Sequence, residues 1–191
     1  MLLSDLEFDA IYDDRIRELS RQHWTPVQIA QRAARLLMQA GATRVLDVGS
    51  GVGKFCIVGA LSTTADFVGV ERRGSLVDIA RRAASRLGAA RATFIHANAD
   101  SFTFDGFNGI YLYNPFYEQI CKIINPIDDE IELSPLVHRH FVRATTSKLA
   151  AAAGPMAVVT FNGFGGSMPP EYQFLADEPA GNDRLELWVK R

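Results

Sequence analysis

Between residues 44 and 161 of this 191-residue chain, short apolar runs alternate with amphipathic helical patterns. Strands are predicted at 44–48, 67–71, 93–96, 109–113 and 156–161, with helices at 53–61, at 75–87 and from Ser134-Pro135 to Gly154. Strands that alternate with helices pair in parallel, and helices cover both faces of the sheet that they form. The pattern therefore predicts a doubly wound α/β fold with a mostly parallel sheet.

Helical patterns precede this alternation. The first predicted helix carries an apolar stripe of Phe8, Ile11, Tyr12, Ile16 and Leu19. The second begins at Thr25-Pro26, where Gln28 completes a capping box with Thr25, and ends at Gly41. The helix from Ser134-Pro135 is expected to turn a longer set inward: Leu136, Val137, Phe141, Ala144 and Leu149.

The C-terminal segment has a different period. Leu185, Leu187 and Val189 alternate with polar or amphipathic residues, which predicts a half-exposed antiparallel edge strand that pairs with 172–175 across the turn at 180–183. The chain contains no internal repeat. We therefore predict one domain over 1–191, made of an N-terminal helical segment (1–42) and a sheet core (43–191).

Composition excludes several classes of protein. The formal charge of −2, from 20 Lys and Arg against 22 Asp and Glu, lacks the broad basic field of a nucleic-acid binder. Cys56 and Cys121 make no disulfide framework, so we expect a reducing, cytoplasmic setting. The longest apolar run, 149–161, is broken at Gly154-Pro155 and is shorter than a membrane span.

The most informative motif lies where the first predicted strand turns into a helix. Asp47 begins the pattern Asp-x-Gly-x-Gly-x-Gly, which ends at Gly53. Glycines at alternate positions let a backbone bend tightly and approach a ligand closely. The spacing differs from the Gly-x-Gly-x-x-Gly of dinucleotide sites and from the phosphate-binding loop.

This loop resembles the first motif of class I, seven-strand S-adenosylmethionine (SAM) dependent methyltransferases. Two further matches follow in order: Glu71 ends the second strand, and Asn98-Ala99-Asp100 follows the third. All three lie at carboxyl ends of strands, where open parallel sheets bind ligands. The resemblance implies a Rossmann-like methyltransferase sheet, SAM as cofactor, S-adenosylhomocysteine (SAH) as product and no metal.

The resemblance also assigns roles to residues. Asp47 would set the glycine loop and reach the cofactor's amino group through it, and Glu71 would hold the ribose. The rest of the predicted cofactor site comprises Gly49, Ser50, Gly51 and Gly53 around the methionine moiety, Asn98, Ala99 and Asp100 around the adenine, and Asn114. Thr25 is either a helix cap or part of a segment that covers the methionine end.

The predicted catalytic motif follows the fourth strand. Asn114-Pro115-Phe116-Tyr117 resembles the Asn/Asp-Pro-Pro-Tyr/Phe motif of methyltransferases that modify amino or amide nitrogens, with Phe116 in place of the second Pro. Carbonyls of Asn114 and Pro115 would accept the acceptor's N–H bonds and aim its lone pair at the methyl group. The rings of Phe116 and Tyr117 would wall the acceptor pocket.

The acceptor class is the least constrained expectation. The motifs are also similar to those of non-SET histone lysine methyltransferases, and Asp128, Asp129, Glu130 and Glu132 follow the catalytic turn, where acids would attract a basic protein. A protein nitrogen is therefore the first choice. A nucleobase amino group, a small amine and a catalytically silent SAM-binding module are alternatives. The glycine-rich loop at 163–166 is either a lid or a pocket wall.

Overall fold

A seven-stranded sheet forms the centre of the computed structural model, which describes residues 4–120, 127–128, 133–181 and 183–191. Its strand order is β3-β2-β1-β4-β5-β7-β6. The strands are β1 (Arg44–Val48), β2 (Asp66–Glu71), β3 (Ala92–His96), β4 (Gly109–Tyr113), β5 (Met156–Phe161), β6 (Gln173–Ala180) and β7 (Asp183–Lys190). The first five are parallel and β7 is antiparallel to both neighbours, which confirms the predicted α/β class.

Helices cover both faces of the sheet. They are α1 (Asp5–Asp9), α2 (Asp14–His23), α3 (Val27–Gln39), α4 (Lys54–Ser62), α5 (Gly74–Leu87) and α6 (Pro135–Ala151). One apolar cluster joins α1–α5 to residues such as Val45, and the other joins α6 to alternate strand residues such as Leu46. No helix in the described ranges is both long and apolar enough to span a membrane.

The C-terminal strands correct one prediction. β7 was expected at the edge, but it pairs with β5 on one side and β6 on the other, so β6 is the edge strand. Leu185, Leu187 and Val189 are buried as predicted. Alternating polarity reports which face of a strand is covered and carries no information about its lateral position, which explains the error. Asn182 of the predicted turn lies outside the described residues.

The N-terminal segment contains two helices where the sequence pattern predicts one. The side chain of Asp13 accepts a hydrogen bond from the Ile16 backbone N–H (2.9 Å), so it caps a new helix and interrupts the first. The predicted capping box at the next helix is also wrong, because α3 begins after Pro26 without a side-chain cap. Thr25 instead shares a hydrogen bond of 2.9 Å with the Tyr111 hydroxyl.

Helix α6 begins after Ser134 as predicted, but Leu136 does not face inward. Its side chain is 69% exposed, whereas Phe141, Thr145 and Leu149 form the buried stripe. At about 100° per residue, Leu136 lies roughly 140° around the helix from Phe141. Val137, one turn before Phe141, packs partly against the core instead.

A buried lysine anchors the N-terminal segment to the start of α4. The Lys54 side chain is 2% exposed, and its Nζ lies 2.6 Å from Asp5 Oδ1 and 2.7 Å from Asp9 Oδ1. Ser20 Oγ accepts a further hydrogen bond from the ammonium at 3.2 Å. A buried charge needs such partners, because its desolvation is costly. The lysine therefore holds α1 and α2 beside the glycine loop.

We expect Lys54→Ala to lower the free energy of unfolding by about 2–3 kcal/mol, because it leaves Asp9 without its charged partner in a mostly buried site. Chemical denaturation monitored by circular dichroism measures this loss. Arg17→Ala is the control, since Arg17 and Asp14 form an exposed pair on α2 worth less than about 1 kcal/mol. Equal effects of the two substitutions would contradict the anchoring role.

Candidate active site

The glycine loop follows β1 and adopts left-handed backbone conformations. Gly49, Gly51 and Gly53 have φ angles of 79°, 53° and 80°, a region that favours glycine. A Cβ on Gly51 would lie 2.3 Å from Trp24 Nε1, so this glycine also makes room for a side chain from the N-terminal segment. The loop therefore needs glycine both for its bend and for packing.

Glu71 ends β2 and ties the loop to the next turn. Its Oε2 accepts the Gly51 backbone N–H at 3.1 Å, and its Oε1 accepts the Arg73 backbone N–H at 2.9 Å. The residue is buried, yet it lines a cavity. A carboxylate offers about four lone-pair sites, so two remain for a ligand.

The Arg73 side chain extends this connection to the segment after β4. Its guanidinium is 5% exposed and donates to both Glu118 oxygens at 2.9 and 3.0 Å and to Asp128 Oδ2 at 2.9 Å. These carboxylates raise the pKa of Arg73 against the opposing effect of burial. The predicted attraction of a basic acceptor by Asp128 is thus offset by an internal partner, and Asp129, Glu130 and Glu132 lie outside the described residues.

One cavity of about 310 Å³ joins these elements at the carboxyl edge of the sheet. This volume is within the usual range of ligand pockets. Nine of the predicted site residues line it: Gly49, Gly51, Glu71, Asn98, Ala99, Asn114, Pro115, Phe116 and Tyr117. The structure thus brings the cofactor motifs and the catalytic motif to one place.

Five other predicted residues lie elsewhere. Thr25, Asp47 and Ser50 line a separate polar cavity of about 30 Å³ beside Lys54. Asp100 contacts His140 instead, with its Oδ2 3.2 Å from the imidazole Nε2. Gly53, the last glycine of the loop, precedes α4 and packs against Phe94. Their roles toward a cofactor stay predictions.

The turn after β4 has unusual geometry. Asn114 has a φ of 37°, and its carbonyl accepts the Tyr117 backbone N–H at 3.1 Å. Pro115 packs against the glycine loop, since a Cβ on Gly49 would lie 3.3 Å from Pro115 Cβ. Phe116 is buried and stacks on Phe141 of α6, with centroids 5.1 Å apart and planes 14° apart. Tyr117 is 48% exposed.

Several residues that line the cavity were missed by sequence analysis. Gln22, His23 and Trp24 come from the end of α2 and the residue after it, and Asn162 follows β5. The N-terminal residues carry no local signal, because only tertiary packing brings them over the loop. Asn162 did carry one, since it is a polar residue directly after a predicted strand.

Comparisons with known proteins show what the chain resembles. Residues 39–127 match a family model described as a methyltransferase domain. A search of curated proteins found no relative of the chain. The matched range begins before β1 and includes the glycine loop, Glu71 and the turn at Asn114, so the predicted resemblance to methyltransferases is confirmed.

Solved structures share the fold of this chain. An RNA methyltransferase from Salinibacter ruber, in complex with SAH, is 20% identical with a TM-score of 0.57; the match covers 83% of this chain and 89% of that one. A magnesium protoporphyrin IX methyltransferase from Synechocystis PCC 6803 with bound SAM is 14% identical with a TM-score of 0.60, and the match covers 96% of this chain and 89% of that one. A Klebsiella pneumoniae protein assigned as an O-methyltransferase is 14% identical with a TM-score of 0.62, and the match covers 96% of this chain and 90% of that one.

The buried acid of the glycine motif has a shifted pKa. Burial raises the pKa of Asp47 to about 7, and the nearby Glu71 charge adds to the rise, whereas a hydrogen bond from Cys56 Sγ at 3.6 Å opposes it. In the described residues, His, Cys, Asp and Glu form no group of three that could hold a metal ion.

We expect Asp47→Asn to stabilise the ligand-free protein at pH 8 by up to about 4 kcal/mol, and the gain to vanish near pH 4. Because the folded pKa exceeds the unfolded value of about 3.9, the wild-type carboxyl's favourable contribution is complete below pH 4 and is lost as the pH rises through about 7. Chemical denaturation of both proteins at a series of pH values measures the difference in their free energies of unfolding. Asp66→Asn, at the exposed start of β2, is the control. A parallel pH dependence of Asp47→Asn and wild type would contradict the assignment.

Proposed function

We propose that the chain binds SAM and transfers its methyl group to a nitrogen atom, with a protein side-chain amino or amide group as the first candidate acceptor. The observation that carries the proposal is the shared cavity. Glu71, the glycine loop and the Asn114-Pro115 turn all line it. Cofactor and acceptor would thus bind in the same cavity, and the methyl group would pass directly from one to the other.

The residues present fit the cofactor. Glu71 lines the cavity with two lone-pair sites to spare for ribose hydroxyls, and the backbone of Gly49 and Gly51 borders the same space. The Salinibacter and Synechocystis structures were solved with SAH and SAM, which supports the same ligand here. When bound, SAM supplies an electrophilic methyl group and leaves as SAH.

The chain's own contribution would be positioning. The Asn114 side chain, at the cavity wall, can accept an N–H bond of the acceptor and point the nitrogen lone pair along the line of transfer. Pro115 touches Gly49, so the acceptor turn and the cofactor loop have a fixed spacing. Trp24 and Phe116 exclude water from two sides of the cavity.

A nucleobase amino group is the second candidate acceptor, and one contact favours it. The Arg72 guanidinium carbon lies 5.9 Å from the centroid of the Phe141 ring, and that ring stacks on Phe116. All three residues line the cavity, so it has both flat and cationic surfaces. Such surfaces suit a planar base beside a phosphate. The resemblance of the catalytic motif supports a protein acceptor. Glu118 and Asp128 already pair with Arg73, however, so they attract a basic protein less than their charges alone would suggest.

We expect Glu71→Ala to weaken SAM binding at least tenfold, about 1.4 kcal/mol, because it removes the ribose contact and the tie to Gly51. Isothermal titration calorimetry with SAM and with SAH measures the change. Glu178→Ala, which removes a surface partner of Arg32, is the control for loss of an acid. Undiminished affinity in folded Glu71→Ala, or no binding by wild type, would refute the cofactor assignment.

We expect Asn114→Gly to lower kcat about 100-fold or more while SAM affinity stays within threefold, because glycine keeps the positive φ and removes only the side-chain amide. Transfer of labelled methyl to histones and to RNA measures this effect and compares the two acceptor classes. Ser167→Gly, an exposed loop change outside the cavity, is the control. Binding without transfer by wild type would favour the silent module.

A further inference from the structure

A second asparagine in a left-handed conformation lies beside the catalytic turn. Asn114 (φ 37°) and Asn162 (φ 59°) are the two non-glycine residues with positive φ in the described part of the chain. Such conformations cost free energy and cluster at functional sites. Both positions directly follow the last residue of a strand.

The strand register makes these two residues neighbours. β4 and β5 are parallel, and their last pair is Tyr113 with Phe161, so Asn114 and Asn162 continue from adjacent positions. The Asn114 backbone N–H donates to the Gly163 carbonyl at 2.9 Å, which joins the two turns. Both asparagines line the same cavity, and Asn162 is exposed to it and to solvent.

We propose that Asn162 is a second acceptor-positioning residue, and that Asn114 and Asn162 together hold a primary nitrogen by its two N–H groups. This inference rests on the proposed function. Parallel strands lie about 4.8 Å apart. Two oxygens that each accept a bond of about 2.9 Å from one NH₂ group are themselves about 4.7–5.0 Å apart. Adjacent strand ends therefore bring the two side chains into the range from which their amide oxygens could hold one primary nitrogen.

The pair determines which nitrogens react. With both N–H groups held, the lone pair is free to form the new N–C bond while the S–C bond breaks and its electrons stay on sulfur. The nitrogen then loses one proton to water at the exposed Asn162 side. A nitrogen that already carries one methyl has one N–H fewer and leaves one carbonyl without a partner, which costs binding. The enzyme would therefore add one methyl group per acceptor.

The sequence motif implies another source for the second oxygen that accepts an N–H bond of the substrate nitrogen, namely the Pro115 carbonyl. Two substitutions separate these sources. Asn162→Gly keeps the left-handed backbone and removes the amide, whereas Asn162→Asp keeps an oxygen acceptor. If Pro115 supplied the second contact, neither substitution would change the choice between primary and methylated nitrogens.

The test uses the full chain, labelled SAM and three pairs of probes: peptides with lysine or Nε-methyllysine, peptides with glutamine or its N-methyl form, and adenosine or N6-methyladenosine. We expect wild type to prefer the primary member of the pair that it modifies, by kcat/KM, at least tenfold. Asn162→Gly should reduce this preference about tenfold, and Asn162→Asp should change it less than threefold. Ser167→Gly is the matched loop control.

The outcomes separate this inference from the proposed function. Transfer with an unchanged preference in Asn162→Gly would overturn the role of Asn162 and leave nitrogen methylation intact. No transfer to any probe by a protein that binds SAM would overturn both. Equal rates on primary and methylated probes by wild type would overturn the paired clamp directly. Calorimetry with SAM on both Asn162 variants, expected within threefold of wild type, excludes an effect through cofactor binding.

Discussion

The Glu71 carboxylate is the contact on which the rest of the site depends. It lies at the end of a buried strand and accepts one backbone N–H from the glycine loop and one from the turn that begins α5. Charge-assisted hydrogen bonds to backbone groups are strong and directional, so they hold both turns at defined positions. The residue that would bind the ribose therefore also shapes the loop beside it. A ligand that engages Glu71 acts on a preorganised edge of the sheet.

Arg73 connects the turn at Glu71 to the segment after β4. Its backbone bonds Glu71, while its buried guanidinium pairs with Glu118, next to the catalytic turn, and with Asp128. Breaking one of these pairs would leave a buried charge, which is strongly unfavourable. Lys54 in turn holds the N-terminal helices through Asp5, Asp9 and Ser20. Two buried cations thus join chain segments that are distant in sequence.

The part of the cavity proposed to hold the acceptor is built from adjacent strand ends. Asn114 and Asn162 occupy left-handed conformations after β4 and β5, and a backbone hydrogen bond joins their turns. Pro115 contacts Gly49 of the cofactor loop, so the two halves share an interface without an intervening layer. Rigid elements with strained ends can place reacting groups more accurately than a long loop can. This arrangement is consistent with catalysis by positioning.

By itself, the sequence determined the β/α alternation, the glycine loop, the acid at Glu71 and the turn at Asn114, because each of these signals is local and periodic. Tertiary structure decided the rest. The placement of β7 inside the sheet depended on β6 pairing with its other side, and the separation of Thr25, Asp47 and Ser50 from the main cavity depended on how the N-terminal helices pack. Trp24 and Asn162 joined the site through contacts between segments far apart in the chain. Local patterns encode which residues can bend, cap or pair, whereas the neighbours of a strand and the walls of a cavity arise only when distant segments bury their apolar faces together.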